Sequence, residues 1–192
     1  MERRTVMMAA TAAATSLALL SGCTTTKGAS ETPAQKMMAA IDTGADATLA
    51  TLYSSVPGSR ELAAKSSGIL VFPKLYAAGL GIGGEYGERA LKVGSTTVGY
   101  YKSSSLTWGL QAGAQSKALV MMFMTQEALD KFRNSKGWTA GADASVTVVK
   151  SGAQGPVDTA SARSAVNAFA LTNAGLMAGV TIDGTKVSKL EF

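Results

Sequence analysis

The chain has 192 residues, 46% of them hydrophobic and 21 of them glycine, which suits one domain whose core uses many turns or close-packed strands. It contains no histidine, which removes the commonest metal ligand and the commonest general base together. The formal net charge is +5; removing residues 1–22 takes away Arg3, Arg4 and Glu2 and leaves +4, suited to an anionic membrane surface and too weak to indicate nucleic acid.

Arg3 and Arg4 precede an apolar run, 6–20, of signal-peptide length and too short for a comfortable transmembrane span. The run closes on LLSGC (19–23), a small residue followed by Gly and Cys, which resembles the bacterial lipobox. That resemblance implies cleavage before Cys23, a diacylglycerol on its sulfur and a third acyl chain on its new amino group. Cys23 is the only cysteine, so there is no disulfide framework. Thr24 behind it implies export to the outer membrane. TTTKGASE (24–31) is polar and small, a flexible tether. The division is therefore a signal peptide at 1–22, a tether at 23–31 and a folded domain at 32–192.

Thr32-Pro33-Ala34-Gln35 marks a helix start, with Thr32 as N-cap, Pro33 at the first helical position and Gln35 completing a capping box. Met38, Ile41, Ala45, Leu49 and Leu52 recur at helical spacing and form one apolar stripe. Val56-Pro57-Gly58 stops this helix, and Ser59 can cap a short second one through Lys65, closed by Gly68. From Ile69 the pattern changes to short runs punctuated by glycine, which read as strands. They are ILVF (69–72), TTVGYY (96–101), LTWGLQAGAQ (106–115), ALVMMFM (118–124), SVTVV (145–149), AVNAFAL (165–171) and LMAGVTI (176–182). Asp183-Gly184 signals a type I′ hairpin between the last of these and TKVSKL. One helix interrupts the series: Thr125 caps QEALDKFRN (126–134), with Leu129 and Phe132 inward and Lys131, Arg133 and Lys136 outward. SGAQGPVDTAS (151–161) is a loop, and neither a repeat nor a transmembrane helix follows residue 22. The predicted class is α+β: a mostly antiparallel, curved or barrel-like sheet with N-terminal helices and one helix inserted around 126–134.

GLGIGGEYG (79–87) holds a full G-x-G-x-x-G at Gly79, Gly81 and Gly84. A dinucleotide fingerprint needs a helix opening on its last glycine and an acidic residue about twenty positions on. Here Glu85-Tyr86-Gly87 leads to a turn at Gly94-Ser95, and the region near position 104 is SSS. A kinase-type loop also fails, since no lysine strand or metal-binding acids accompany it. Period two does better. Gly79, Gly81 and Gly83 share one face of a strand, and Gly109, Gln111, Gly113 and Gln115 repeat the alternation. Such faces invite a packed helix, the bend of a small barrel, or a ligand.

The blocks GILVFPKLYAAGLGIGGEYGERAL (68–91), TVGYYKSSSLTWGLQAGAQSKALVMMFMTQEALDKFRNSKGW (97–138) and GADASV (141–146) closely resemble the SYLF domain, also called the Ysc84 actin-binding or Las17-binding domain. The resemblance runs from about residue 40 to the C-terminus. It implies a member of the family's bacterial branch, which consists of lipoproteins. Eukaryotic members bind phosphoinositide-containing membranes, and the yeast member also binds and bundles actin. The family is not known for enzymes. Membrane binding in eukaryotic members is attributed largely to a basic amphipathic N-terminal helix. The matching helix here joins Lys36 with Asp42 and Asp46, so its polar face departs from that pattern. The expected partner is an anionic phospholipid, beside the acyl chains on Cys23; no actin is expected in a bacterium, and no protein partner is named by the residues.

Asp143 in GADAS and Glu85 with Glu88 are the acids in glycine-rich settings. Glu85 and Glu88, three apart, face opposite ways on a strand, which argues against a paired acid/base device. Ser103, Ser104 and Ser105 have no histidine to activate them, leaving only a formal Ser–Lys arrangement with Lys102 or Lys117. No catalytic residue, cofactor or metal is expected. Lys65, Lys74, Lys102 and Lys117 fall at ends of predicted elements, and Lys131, Arg133 and Lys136 cluster on one helix and its exit. These seven are the candidate lipid-binding residues, solvated surface being the plain alternative. Tyr76, Tyr86, Tyr100, Tyr101 and Trp108 suit either an interfacial rim or core. The expected function is a lipid-anchored protein of the bacterial outer membrane, facing the periplasm, that binds anionic phospholipid. The alternative is an interaction lipoprotein that contacts an envelope protein or polysaccharide and no lipid.

Overall fold

Thr32 begins the first helix as its neighbours predict. Its hydroxyl accepts from the Gln35 N–H at 3.2 Å, and the Gln35 amide oxygen accepts from the Thr32 N–H at 2.8 Å, so α1 (Pro33–Ser55) starts on a complete capping box. The computed structural model describes residues 31–149, 164–172, 175, 176, 182, 184 and 185–191, the side chains of 77–83, 106–115, 175 and 176 excepted. Cys23, the signal-peptide run, the tether and the loop predicted at 151–161 lie outside the described residues. Helix α1 buries Ile41, Ala45, Leu49 and Leu52 as the stripe predicts, with Met38 half-buried. Thr48 joins them because its hydroxyl donates to the Gly44 carbonyl at 2.8 Å and so needs no water.

Helix α2 (Ser59–Lys65) corrects the expectation at both ends. Gly58 is the N-cap, while Ser59 lies inside the helix, fully buried. The Ser59 hydroxyl donates to the Val56 carbonyl at 2.6 Å, satisfying the end of α1 rather than the start of α2. Ser66 ends α2, and Gly68 opens the sheet instead of closing the helix.

The first four glycine-punctuated runs do not form separate strands, whereas SVTVV and AVNAFAL do, at Val146–Val148 and Val166–Thr172. Strands β1 (Gly68–Val93) and β2 (Thr96–Phe123) make one long antiparallel hairpin around Gly94-Ser95, where Gly94 takes φ 60°. Glycine weakens a strand without ending it, and pairing slips occur after Leu80, at Gly81, and after Leu91, opposite Gly99, while the slip after Phe72 falls at Pro73, which has no N–H for the ladder. Run straight, the stretch from Lys74 to Gly87 would span roughly 40 Å. Yet a Cβ on Gly87 would stand 2.7 Å from the Lys74 carbonyl oxygen and 2.8 Å from the Leu75 side chain. The hairpin curls back on itself, and a glycine is needed where its two arms touch.

Strands β3 (Trp138–Thr139), β4 (Val146–Val148), β5 (Val166–Thr172), β6 (Gly175–Leu176) and β7 (Lys186–Lys189) extend the second edge of β2. Strand β7 runs along residues 101–104 with β3 outside it; β5 runs along 118–123, flanked by β4 and β6. Among the described strands only β4 with β5 pairs parallel, so the fold is α+β with a curled, mostly antiparallel seven-stranded sheet. Helix α3 (Gln126–Asn134) is inserted between β2 and β3, and the Thr125 hydroxyl accepts from the Ala128 N–H at 3.2 Å. The Asp183-Gly184 hairpin is corrected. A turn forms, with the Thr185 N–H donating to Ile182 at 3.2 Å, but β2 and β3 occupy both edges of Lys186 and Val187. The strand after the turn therefore pairs across the sheet and not back on LMAGVTI, most of which lies outside the described residues, as does Asp183.

Period two sorts the hairpin between two cores. Leu70, Phe72, Leu91, Leu119, Met121 and Phe123 meet Leu129, Phe132 and Trp138 on the concave face under α3. Ile69, Val71, Ala90, Val120 and Met122 meet the α1 stripe and Leu62 of α2 on the other face. Polar contacts fasten α1 there. Asp42 accepts from the Thr97 hydroxyl at 2.8 Å and the Tyr100 phenol at 2.7 Å, and Asp46 pairs with Lys92. The two acids that depart from a basic membrane helix thus hold α1 to the sheet.

The Tyr100 phenol is pushed up to about 12, by its burial and then by the Asp42 carboxylate it donates to. The folded state therefore holds this proton more tightly than the unfolded chain, whose value is 10.0. Its contribution is complete below about pH 10 and is lost as pH rises towards about 12. Denaturation midpoints are expected to fall across that window, and Tyr100→Phe to flatten part of the fall. An identical slope in the variant would show that Asp42 and Tyr100 are not coupled.

Candidate functional site

The G-x-G-x-x-G segment lies wholly within β1, which continues past it to Val93, so no helix opens on its last glycine. Gly79 pairs with Gly113 and Gly83 with Thr107. Backbone groups of this segment on the side facing β2 are taken up by the ladder rather than gathered into a phosphate cradle. The side chains around this face lie outside the described residues.

The seven basic candidates do not gather in one patch. Lys131, Arg133 and Lys136 are exposed on α3 and its exit, under the concave face, while Lys65 is exposed at the end of α2 on the other. Lys131 is partly engaged, 2.9 Å from Glu127 one turn earlier. Lys74 and Lys102 are exposed, Lys102 standing across the ladder from Glu88. Lys117 turns away from solvent to meet Glu85 at 2.8 Å.

The acids divide as the strand reading predicts. Glu85 is buried and Glu88 is not. Asp143 is exposed and accepts from the Thr139 N–H at 2.5 Å, which gives it a turn-holding role. Ser103 is buried while Lys102 next to it points to the opposite face, so the two make no Ser–Lys device.

Of the aromatic residues, Tyr101 is core, packed 4.8 Å from Phe132, and Tyr100 is fastened to Asp42. Tyr76 and Tyr86 are 57% and 50% exposed, and with Met37 at 36% they line one groove. Helix α1 supplies Met37, Ala40 and Ile41 to one wall; Pro73, Tyr76 and Tyr86 of β1 form the other, with Lys74 and Glu88 along it. The groove holds about 720 Å³, within the usual range of small-molecule sites. Exposed large apolar side chains gathered in one concavity mark a binding surface more than scattered ones do. The sequence reading missed Met37, whose sole sign is a position one residue off the buried stripe.

Residues 104–191 match the family model described as Ysc84, Las17-binding protein actin regulator. The chain carries a Ysc84-family domain. No curated protein matches the chain. The matched part of this Ysc84 domain runs from Ser104 of β2 through α3 and β7 to Glu191, so the groove is built wholly from residues ahead of it.

The interior of the Ysc84 half-barrel is charged. Glu85 stands opposite Ser105 in the ladder and Lys117 opposite Leu75, so their ion pair crosses the curl from one arm to the other. Arg89 is fully buried, with its guanidinium 3.9 Å over the centre of the Phe72 ring. Burial holds its pKa well below the ordinary arginine value, with Glu85 acting in the opposite direction. No sequence pattern flags Arg89, since a lone arginine in a strand is ordinarily a surface residue.

Proposed function

We propose that this chain is a membrane-anchored envelope lipoprotein whose Ysc84 domain binds anionic phospholipid. The observation that carries the reading is the groove between α1 and β1, where exposed Met37, Tyr76 and Tyr86 stand beside Lys74. Met37, Ile41 and Pro73 offer an apolar floor for the glycerol end of an acyl chain. The tyrosines suit the boundary between apolar and wet layers, and Lys74 meets the phosphate. Arg133 in the last turn of α3 and Lys136 just after it, both exposed, add to the positive charge that draws the domain towards an anionic surface. The lipobox resemblance supplies the anchor, with acylated Cys23 in the outer membrane and the domain facing the periplasm. The protein acts as a binding module and not as a catalyst, a reading supported by Glu85 being committed to Lys117 and Asp143 to a turn. Actin regulation, for which the family is named, is not part of the proposal, since no actin is expected in a bacterial envelope.

Flotation with a form starting at Lys27, which keeps the compact unit of residues 31–192, tests the lipid reading without the anchor. Binding is expected on phosphatidylglycerol vesicles, weakly or not at all on phosphatidylcholine, and it should fall with salt as exposed charges become screened. Lys74→Ala should weaken it about fivefold, on about 1 kcal/mol per cation at the surface. Lys131→Ala, Arg133→Ala and Lys136→Ala together, on the other face of the sheet, should weaken it less per charge. Met37→Asp should weaken it at any salt. Cys23→Ser in the full chain should release the protein from membranes and abolish fatty-acid labelling; unchanged labelling would disprove the anchor. A second reading, an interaction lipoprotein that holds an envelope protein or polysaccharide, draws on Val93 and Val98, exposed at the tip of the long hairpin. Failure to float on either vesicle would favour it.

A further inference from the structure

Three buried polar side chains make no hydrogen bond among the described residues: the Arg89 guanidinium, the Ser103 hydroxyl and the Trp138 indole N–H. They are 0%, 2% and 1% exposed, so bulk water does not reach them. Buried polar groups are nearly always met by a partner, and three such groups on one face of a sheet call for a common cause.

Strand register places them on one face, Arg89 and Ser103 on neighbouring strands and Trp138 two strands beyond Ser103 with Val187 between. Gly87 pairs with Ser103, Ser103 with Val187 and Val187 with Trp138, one row across β1, β2, β7 and β3. Residues opposite each other in register share a face, here the concave one. Arg89 lies two residues beyond Gly87 on the same strand and face, diagonal to Ser103 at roughly 7–8 Å between backbones. Gly87 adds no side chain to the row.

The three groups are alike in what they need. Guanidinium and indole N–H are donors with no acceptor, and a hydroxyl can donate. What they share must therefore bring acceptors. Charge points the same way. Glu85 and Lys117 neutralise each other at 2.8 Å, which leaves the positive charge of Arg89 as the excess among the described interior groups.

We propose that the concave interior of the half-barrel is an oxyanion site, in which Arg89, Ser103 and Trp138 receive a carboxylate or phosphate group. Guanidinium binds both in bidentate fashion, and the Phe72 ring behind it fixes its plane. The site is separate from the α1 groove. Tyr76 and Tyr86 line that groove on one side and, on the other, a second cavity of about 710 Å³ whose lining includes Glu85, Ser105 and Lys186. Glu85 and Ser105 form the next rung on the face of Gly87 and Ser103, with Tyr86 and Ser104 between on the opposite face, so the cavity meets the concave face at Glu85 and Ser105.

The test follows the Trp138 indole N–H by NMR, assigned with Trp138→Phe, while the protein is titrated with inorganic phosphate, with hexanoate and with phosphatidylglycerol vesicles. A saturable movement of that signal is expected. Response to the small anions indicates a free oxyanion, and response to vesicles alone indicates a lipid head group. Arg89→Met should weaken the response about tenfold or more, the scale of a charge-assisted hydrogen bond. It should also raise the thermal midpoint without added anion, because it removes a buried charge that has no partner. No response to any of the three probes overturns the proposal, and so does a lowered midpoint in Arg89→Met. If that variant fails to fold, Ser103→Ala decides: a response weakened about threefold or more supports the site, and an unchanged one refutes it. Flotation reads the α1 groove and this titration reads the interior, so either reading can fail alone.

Discussion

Lys117→Ala is expected to destabilise the domain by about 3 kcal/mol, read as a lower midpoint in urea at constant slope. Lys117 lies within 2.8 Å of Glu85, whose side chain is 7% exposed. Truncating the lysine leaves that carboxylate buried without its ion-pair partner, a loss that typically costs about 3–5 kcal/mol, partly offset here by the Coulombic pull of Arg89. The Lys117 side chain keeps 20% of its exposure, so water reaches part of the site and the lower end of the range applies. Replacing both partners with neutral residues of similar shape, Glu85→Gln with Lys117→Met, should restore part of the loss, because the carboxylate is no longer orphaned while Arg89 loses its Coulombic partner. The pair spans the curl, so the single variant should also loosen contact between the arms around Gly87. A cost below about 1 kcal/mol for Lys117→Ala would show the ion pair to be a surface interaction.

Phe132→Ala should cost about 4 kcal/mol, the largest loss expected from any single truncation outside the strands. The Phe132 ring lies 4.8 Å from Tyr101, 5.0 Å from Phe123 and 5.5 Å from Trp138, and it is 1% exposed. Removing it leaves a cavity and three lost ring contacts, while α3 keeps only Ala128 and Leu129 as buried anchors. Phe132→Leu fills most of the space and should cost roughly 1.5 kcal/mol. Urea unfolding followed by tryptophan fluorescence measures both. Equal losses for the two variants would mean that α3 detaches whenever the ring is absent, and that cavity volume does not set the cost.

The helices were readable in detail because their signals are local. The Thr32 capping box, the Ile41–Leu52 stripe and the Thr125 cap each involve residues within a turn or two of one another. Ser59 and Gly68 were misread for the same reason. Their residue types fit a local cap, but the Ser59 hydroxyl serves the carbonyl of Val56 and Gly68 belongs to β1. The strand runs up to AVNAFAL fall on strands of the sheet but were wrong in number, and LMAGVTI lies mostly outside the described residues. Glycine between apolar runs looks like a break, whereas two continuous strands can carry it as a slip or a bend when a partner strand holds the ladder. The groove was half legible. Tyr76 and Tyr86 stood out as rim residues, but nothing local brings Met37 to them.

The sequence by itself determined the α+β class, the caps and stripes of α1 and α3, the Gly94 turn, the two faces of each strand and the resemblance to the SYLF domain. All of these depend on residue type and on spacing within a few positions, where sterics and hydrogen bonding act directly. Only the tertiary structure decided which distant residues meet. Twist and pairing slips along β1 and β2 add up to a curl, and the curl sets Gly87 against Lys74, Glu85 against Lys117, and Arg89 beside the row of Ser103 and Trp138. The same curvature opens the Tyr76–Tyr86 wall on two sides and turns Asp42 and Asp46 from membrane-facing charges into fasteners of α1. Such contacts arise from small rotations summed over many residues, and no single residue or short motif encodes the sum.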